Sequence, residues 1–130
     1  MPNWGLQISK AFEAEVDMSA RQFHAVRVKS DGVMTLGASA ASYKLKTIGI
    51  LQDAPKANEF GEVCIFGLSK AVVDGAAGAV SVGSWLYSGS DGQLLPVTTA
   101  TCPCIAIALE AATVADAVIK VIVIPGISYP

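Results

Sequence analysis

The groups that could do chemistry in this chain are few and scattered. His24 is the only imidazole, so a Ser/His/Asp or Cys/His arrangement would have to be built on it. It opens an alternating run in which His24, Val26 and Val28 face away from Ala25 and Arg27, which fits a structural or surface position on a half-buried strand. Glu13, Glu15 and Asp17 also alternate, but they fall in an N-terminal stretch read below as an arm. Paired acid/base carboxylates need a rigid pocket to shift their pKa values, so these three are read as a solvated face. Cys64, Cys102 and Cys104 are an odd number of thiols, and Cys102-Pro103-Cys104 is short of the four ligands that tetrahedral zinc takes. They read as small buried thiols. Asp74-Gly75-Ala76-Ala77-Gly78 lacks the Lys-Ser/Thr ending of a phosphate-binding loop, and no helix pattern follows it. Asp31-Gly32 and Asp91-Gly92 lack the other ligands of a calcium loop and read as turns. No catalytic, cofactor-binding or metal-ligating residues are expected, and the chain is not expected to be an enzyme.

The elements that would position any site are short and apolar. In a chain of 130 residues, 52% are apolar and 15% charged, against about 25% charged in an ordinary soluble domain. A domain of this size has too much surface per volume to hide all of that apolar area, so part of it is expected to be covered by other chains. Net charge is −2, with nine scattered basic residues. A nucleic-acid partner would require a basic stripe to displace counterions, and none is present. The apolar runs are too short to span a bilayer as helices, so no membrane partner is expected. No charged segment followed by an apolar one opens the chain, so no secretory leader is expected.

Twelve glycines punctuate β-branched runs, the pattern of an all-β domain with tight turns. Strands are expected at 24–28, 33–36, 47–51, 62–66, 69–73, 85–87, 93–97, 105–109 and 118–124. Ser30-Asp31-Gly32 and Gly89-Ser90-Asp91-Gly92 are read as hairpin turns. The fold class is therefore all-β, a small β-barrel or β-sandwich with an extended N-terminal arm. The division is an arm over 1–20 and a β-rich domain over 21–130. In the arm, Trp4, Leu6 and Ile8 alternate with small and polar residues, and Phe12 follows. Alternation of this kind gives an extended segment one apolar face. Trp4 has no local core, and its partner could be its own domain, a sister subunit or another protein. Trp4, Leu6, Ile8 and Phe12 are therefore the candidate contacts with a sister subunit or another protein. Trp85, inside a strand pattern, is read as core.

Two stretches resemble each other 58 residues apart. Gly49-Ile50-Leu51-Gln52-Asp53-Ala54 matches Ile107-Ala108-Leu109-Glu110-Ala111-Ala112, and Val63-Cys64-Ile65 matches Val121-Ile122-Val123. An internal duplication would produce this, with two related hairpins closing one barrel; so would chance similarity between small apolar strands.

The order of these features resembles the phage capsid decoration, or cement, proteins. The residues that carry the resemblance are the Val-x-Val strand at 24–28, the turn Ser30-Asp31-Gly32 and Ile48-Gly49-Ile50-Leu51-Gln52-Asp53-Ala54-Pro55. Glu62-Val63-Cys64-Ile65-Phe66-Gly67, Gly83-Ser84-Trp85-Leu86-Tyr87-Ser88, Ile107-Ala108-Leu109-Glu110-Ala111-Ala112 and the Val-rich strand at 118–124 follow in order. The resemblance implies a β-rich virion protein, made in the host bacterial cytoplasm and carried on the capsid surface. Such proteins are often homotrimers that bind the major capsid protein and clamp neighbouring copies, with no cofactor and no catalytic residues. A tail or fibre subunit, and a small β-barrel ligand carrier or enzyme, are the alternatives left open.

Overall fold

In a computed structural model, residues 7–28, 34–36, 47–89, 91–97 and 103–128 are described. Nine strands form among them, and no helix. They are β1 (Gln7–Glu13), β2 (Ala25–Val28), β3 (Met34–Leu36), β4 (Thr47–Leu51), β5 (Phe60–Val73), β6 (Trp85–Ser88), β7 (Leu94–Pro96), β8 (Pro103–Ala108) and β9 (Ala117–Ser128). The hydrogen-bonded order is β3-β2-β4-β5-β7-β6-β8-β9, and β5 also pairs with β9. The path therefore closes on itself. Five strands, β5, β7, β6, β8 and β9, make a closed barrel, with β1, β2, β3 and β4 added outside it. Closure removes the exposed edges that an open sheet of this size would offer to other chains.

Pairing is antiparallel except at β5 and β7, where one parallel bridge joins Val73 to Leu94. The seam is completed by the Asp74 N–H, which donates to Leu94 O at 3.0 Å. β9 shows why these residues make a strand. Ile119, Val121 and Val123 are buried while Val118 and Lys120 are exposed, the period-two alternation of a sheet with one face on a core. β-Branched side chains at every position from Val118 to Ile124 except Lys120 suit that pleated surface.

Two apolar clusters result. Ile50, Val73, Leu86, Leu94, Ile105, Val121 and Val123 belong to the larger one, associated with the barrel. The smaller holds Ala14, Met18, Val26, Leu51 and Val63, with Phe12 and Ile48 packed against it.

The chain departs from the sequence reading at two places. The expected strands at 62–66 and 69–73 are one strand, β5, that runs straight through Gly67. Gly67 has φ of 111° and is bridged on both sides, by Gln7 of β1 and by Val123 of β9. A glycine takes that backbone conformation without steric cost, so it bends the strand without ending it. Within the N-terminal stretch, Gln7–Glu13 lie along β5 as β1. Ala14 and Met18, just after it, are fully buried. The last strand, expected to end at 124, continues through Pro125 and Gly126 to Ser128; the hairpin turn expected at 30–32 lies outside the described residues, as do Trp4, Leu6 and Cys102.

Candidate contact surface

The chemistry-bearing groups take structural positions. His24 is buried, and its Nδ1 lies 3.2 Å from the carbonyl oxygen of Gln22, which can only accept; the bond therefore places a proton on Nδ1. Asp74 Oδ1 accepts from the Ala77 N–H at 3.1 Å, and Asp91 Oδ1 from the Gln93 N–H at 3.0 Å. Both are carboxylates closing their own turns. Asp17 Oδ1 accepts from the Ser19 N–H at 2.9 Å, and that bond, first among several causes, holds its carboxyl below the usual range. Among the described residues no three metal-ligating side chains come together.

Cys64 and Cys104 are buried and form no disulfide. Burial pushes the Cys64 thiol above its ordinary range, while its Sγ donates to Phe66 O at 3.6 Å. Iodoacetamide at pH 8 is therefore expected to modify Cys64 at least about tenfold more slowly in the folded chain than in denaturant, because the thiolate is the reacting form. Peptide mass mapping reads this directly, and fast labelling of Cys64 in the folded chain would contradict the burial.

What the surface does offer is apolar. Ile8 and Phe66 are 54% and 44% exposed and stand directly opposite each other across β1 and β5. Phe60, at the start of β5, is 67% exposed. Val82, Val114 and Val118 are exposed as well. On the same ladders the sheet sets Lys70 opposite Lys120 across β5 and β9.

Of the four candidate contacts, Ile8 and Phe12 fall among the described residues, and they part company. An uninterrupted strand would put both on one face. The register shifts between Ile8 and Ser9, which face Phe66 and Cys64 and leave Ile65 as an extra residue. The extra residue lies on β5, so the bulge bends that strand. Ile8 ends exposed, whereas Phe12 packs against the smaller cluster with the Lys10 ammonium 5.4 Å from its ring centroid. A belt of side-chain amides fastens this part of β1 to the barrel. Gln7 Nε2 donates to Leu68 O at 2.8 Å, Gln52 Nε2 to Ser69 Oγ at 2.8 Å, and Gln22 Nε2 to Gln52 O at 2.9 Å. Trp85, read as core, is half-buried. Phe60 and Phe66 were not singled out from sequence. The available signal was position: one opens a strand and the other precedes Gly67, where inward alternation is interrupted.

The described residues thus form a closed barrel that carries exposed apolar side chains. The chain belongs to the phage cement protein family, whose sequence profile matches residues 17–123. No curated protein sequence matches it. Among solved structures it is similar to the N base of the head fibre protein gp8.5 of bacteriophage phi29, with a TM-score of 0.60 and 13% identity over 92% of this chain and 95% of that one. At that identity the likeness is one of fold. The family makes this chain a capsid-associated structural protein of a virion.

Proposed function

We propose that this protein decorates the outer surface of a phage head as a homotrimer and cements neighbouring major capsid proteins. The observation that carries the reading is the apolar skin of a small closed barrel in a member of a cement protein family. Trp4, Leu6, Ile8 and Phe12 are the proposed contacts, with Ile8 presented on the outer side of β1. Adhesion is additive. Each subunit buries a modest apolar area, and a trimer engages three equivalent sites at once, so weak single contacts give slow release.

The experiment is a mass measurement on the purified protein followed by co-sedimentation with expanded empty heads. A trimer that pellets with heads is expected; a monomer that stays in the supernatant overturns the proposal. Ile8→Asp is the sharper variant. Ile8 is half-exposed, so thermal stability should stay within about 0.5 kcal/mol. Loss of its apolar contact, worth about 1–2 kcal/mol per site and multiplied across three sites, should lower head occupancy at least about tenfold. Unchanged occupancy would remove Ile8 from the contact surface.

The fold it shares with a head-fibre base favours a second reading, in which the chain seats a fibre on the head rather than clamping capsid subunits. Images of assembled particles separate the two: fibres project from the density in one case and not in the other.

A further inference from the structure

Among the described residues, β2-β3-β4-β5 and β6-β7-β8-β9 have the same connectivity, and the likeness extends to individual bonds. Val26 pairs with Leu36 across β2 and β3, and Leu86 with Pro96 across β6 and β7, both partners shifted by 60 residues. Ala25 faces Ile50, and Trp85 faces Ile107. The entry turns match too. Phe23 N–H donates to Leu51 O and Leu51 N–H to His24 O, at 2.7 and 2.9 Å; Gly83 N–H donates to Ala108 O and Ala108 N–H to Ser84 O, at 2.8 and 2.9 Å. His24 N–H reaches back to Arg21 O as Ser84 N–H does to Ser81 O. Phe23 and Gly83 both have positive φ, 65° and 90°.

The hairpin ends agree as closely. Asn58 and Asp116 have φ of 69° and 58°, each four residues ahead of a backbone N–H held by a loop carboxylate. Asp53 Oδ2 accepts from the Glu62 N–H at 2.9 Å, and Glu110 Oε1 from the Lys120 N–H at 2.7 Å. Left-handed backbone costs an ordinary residue stability, so two unrelated hairpins have no reason to place it at the same step. The first strand completes the likeness. β1 runs antiparallel along the Phe60–Gly67 part of β5, and the Gly67–Val73 part of β5 runs antiparallel along β9.

We infer that the chain is a tandem duplication of one five-strand unit whose two copies are fused through β5. The first part of β5 is the last strand of one unit, and its remainder is the first strand of the next, with Gly67 belonging to both. The repeat visible in the sequence is the same one with a slip. Ile50 and Leu51 correspond to Ile107 and Ala108, a shift of 57 rather than 58, while Val63 corresponds to Val121 at 58. Because β9 runs against β5, the two hairpin ends lie at opposite ends of the molecule. β5 has 14 residues, so at most about 45 Å of strand separates them.

The test exchanges the two hairpin ends within the full chain: Lys56→Val and Asn58→Asp together with Val114→Lys and Asp116→Asn, Ala57 and Ala115 already being alike. An equivalent pair tolerates this, with a melting midpoint within about 3 °C of the parent. Moving the positive-φ residue by one step should not be tolerated. Ala57→Asn with Asn58→Ala, and separately Ala115→Asp with Asp116→Ala, should each lower the midpoint by about 3–6 °C, and by similar amounts. The inference is overturned if the in-phase exchange costs as much as the out-of-phase pair, or if one out-of-phase variant is silent while the other melts early. Stability is the readout, so failure to bind heads would not bear on it.

Discussion

Gly49→Ala is expected to unfold the sheet around β4. A methyl group on Gly49 would fall on the carbonyl oxygen of Cys64 and within 2.8 Å of Val63 Cγ1. The first of these is backbone, fixed in the β4–β5 ladder at Ile50↔Cys64, so it cannot swing aside as a flexible side chain would. β2 is fastened to the opposite side of β4 at Val26↔Gly49, and moving β4 outward breaks that pairing instead. Overpacking usually costs about 1–3 kcal/mol, and against immobile backbone the upper end or more applies. We expect a loss of at least about 3 kcal/mol, a midpoint lower by about 10 °C, read by thermal circular dichroism. Gly83→Ala is the natural comparison. Gly83 has φ of 90°, but its missing side chain would point into open space, so the penalty is conformational alone, about 1 kcal/mol. A Gly49→Ala protein that melts within 2–3 °C of the parent, roughly one kcal/mol or less, would show that β4 and β5 can separate without cost.

The second large effect is expected inside the barrel. Leu86, on β6, is fully buried in the larger cluster. Leu86→Ala removes its buried methyl groups and leaves a cavity that a closed barrel cannot collapse around, for about 3–4 kcal/mol. The denaturation midpoint should fall while the slope against denaturant stays constant, since the native and unfolded states expose the same surface as before. Below the new midpoint, head attachment should survive, because Leu86 is nowhere on the outer face. Lost attachment in a folded Leu86→Ala protein would mean that the contact surface depends on the barrel interior.

The strands were legible in the sequence because their causes are local. Val118, Lys120 and Ile122 alternate with Ile119, Val121 and Val123, and Asp91-Gly92 supplies a residue at φ of 90° where β6 turns into β7. A barrel was one of two architectures the sequence allowed, beside a sandwich, and the closing contact itself was not legible. Closure depends on one parallel bridge, Val73 to Leu94, which leaves no periodic trace. Gly67 looked like punctuation because glycine accepts positive φ; pairing on both edges made it part of a strand. No strand is among those expected before residue 24, yet Ala11, Phe12 and Glu13 pair with Glu62, Gly61 and Phe60. Ladder bonding to β5 outweighs their modest strand preference. As for the contact residues, alternation singled out Ile8, which is exposed, while Phe12 packs against the smaller cluster, and the bulge at Ile65 beside them had no local signal. Bulges answer to a partner far away in sequence, so no local pattern announces them.

β5 passes without a break from one unit into the next, and that continuity has a mechanical meaning. Tension applied between its ends runs parallel to the strand. The ladders to β1 and β9 then resist in shear, with many hydrogen bonds strained together, instead of peeling one after another. On a shell stretched from within, such a strand would act as a tie rod, and yielding would require both neighbouring ladders to slip at once.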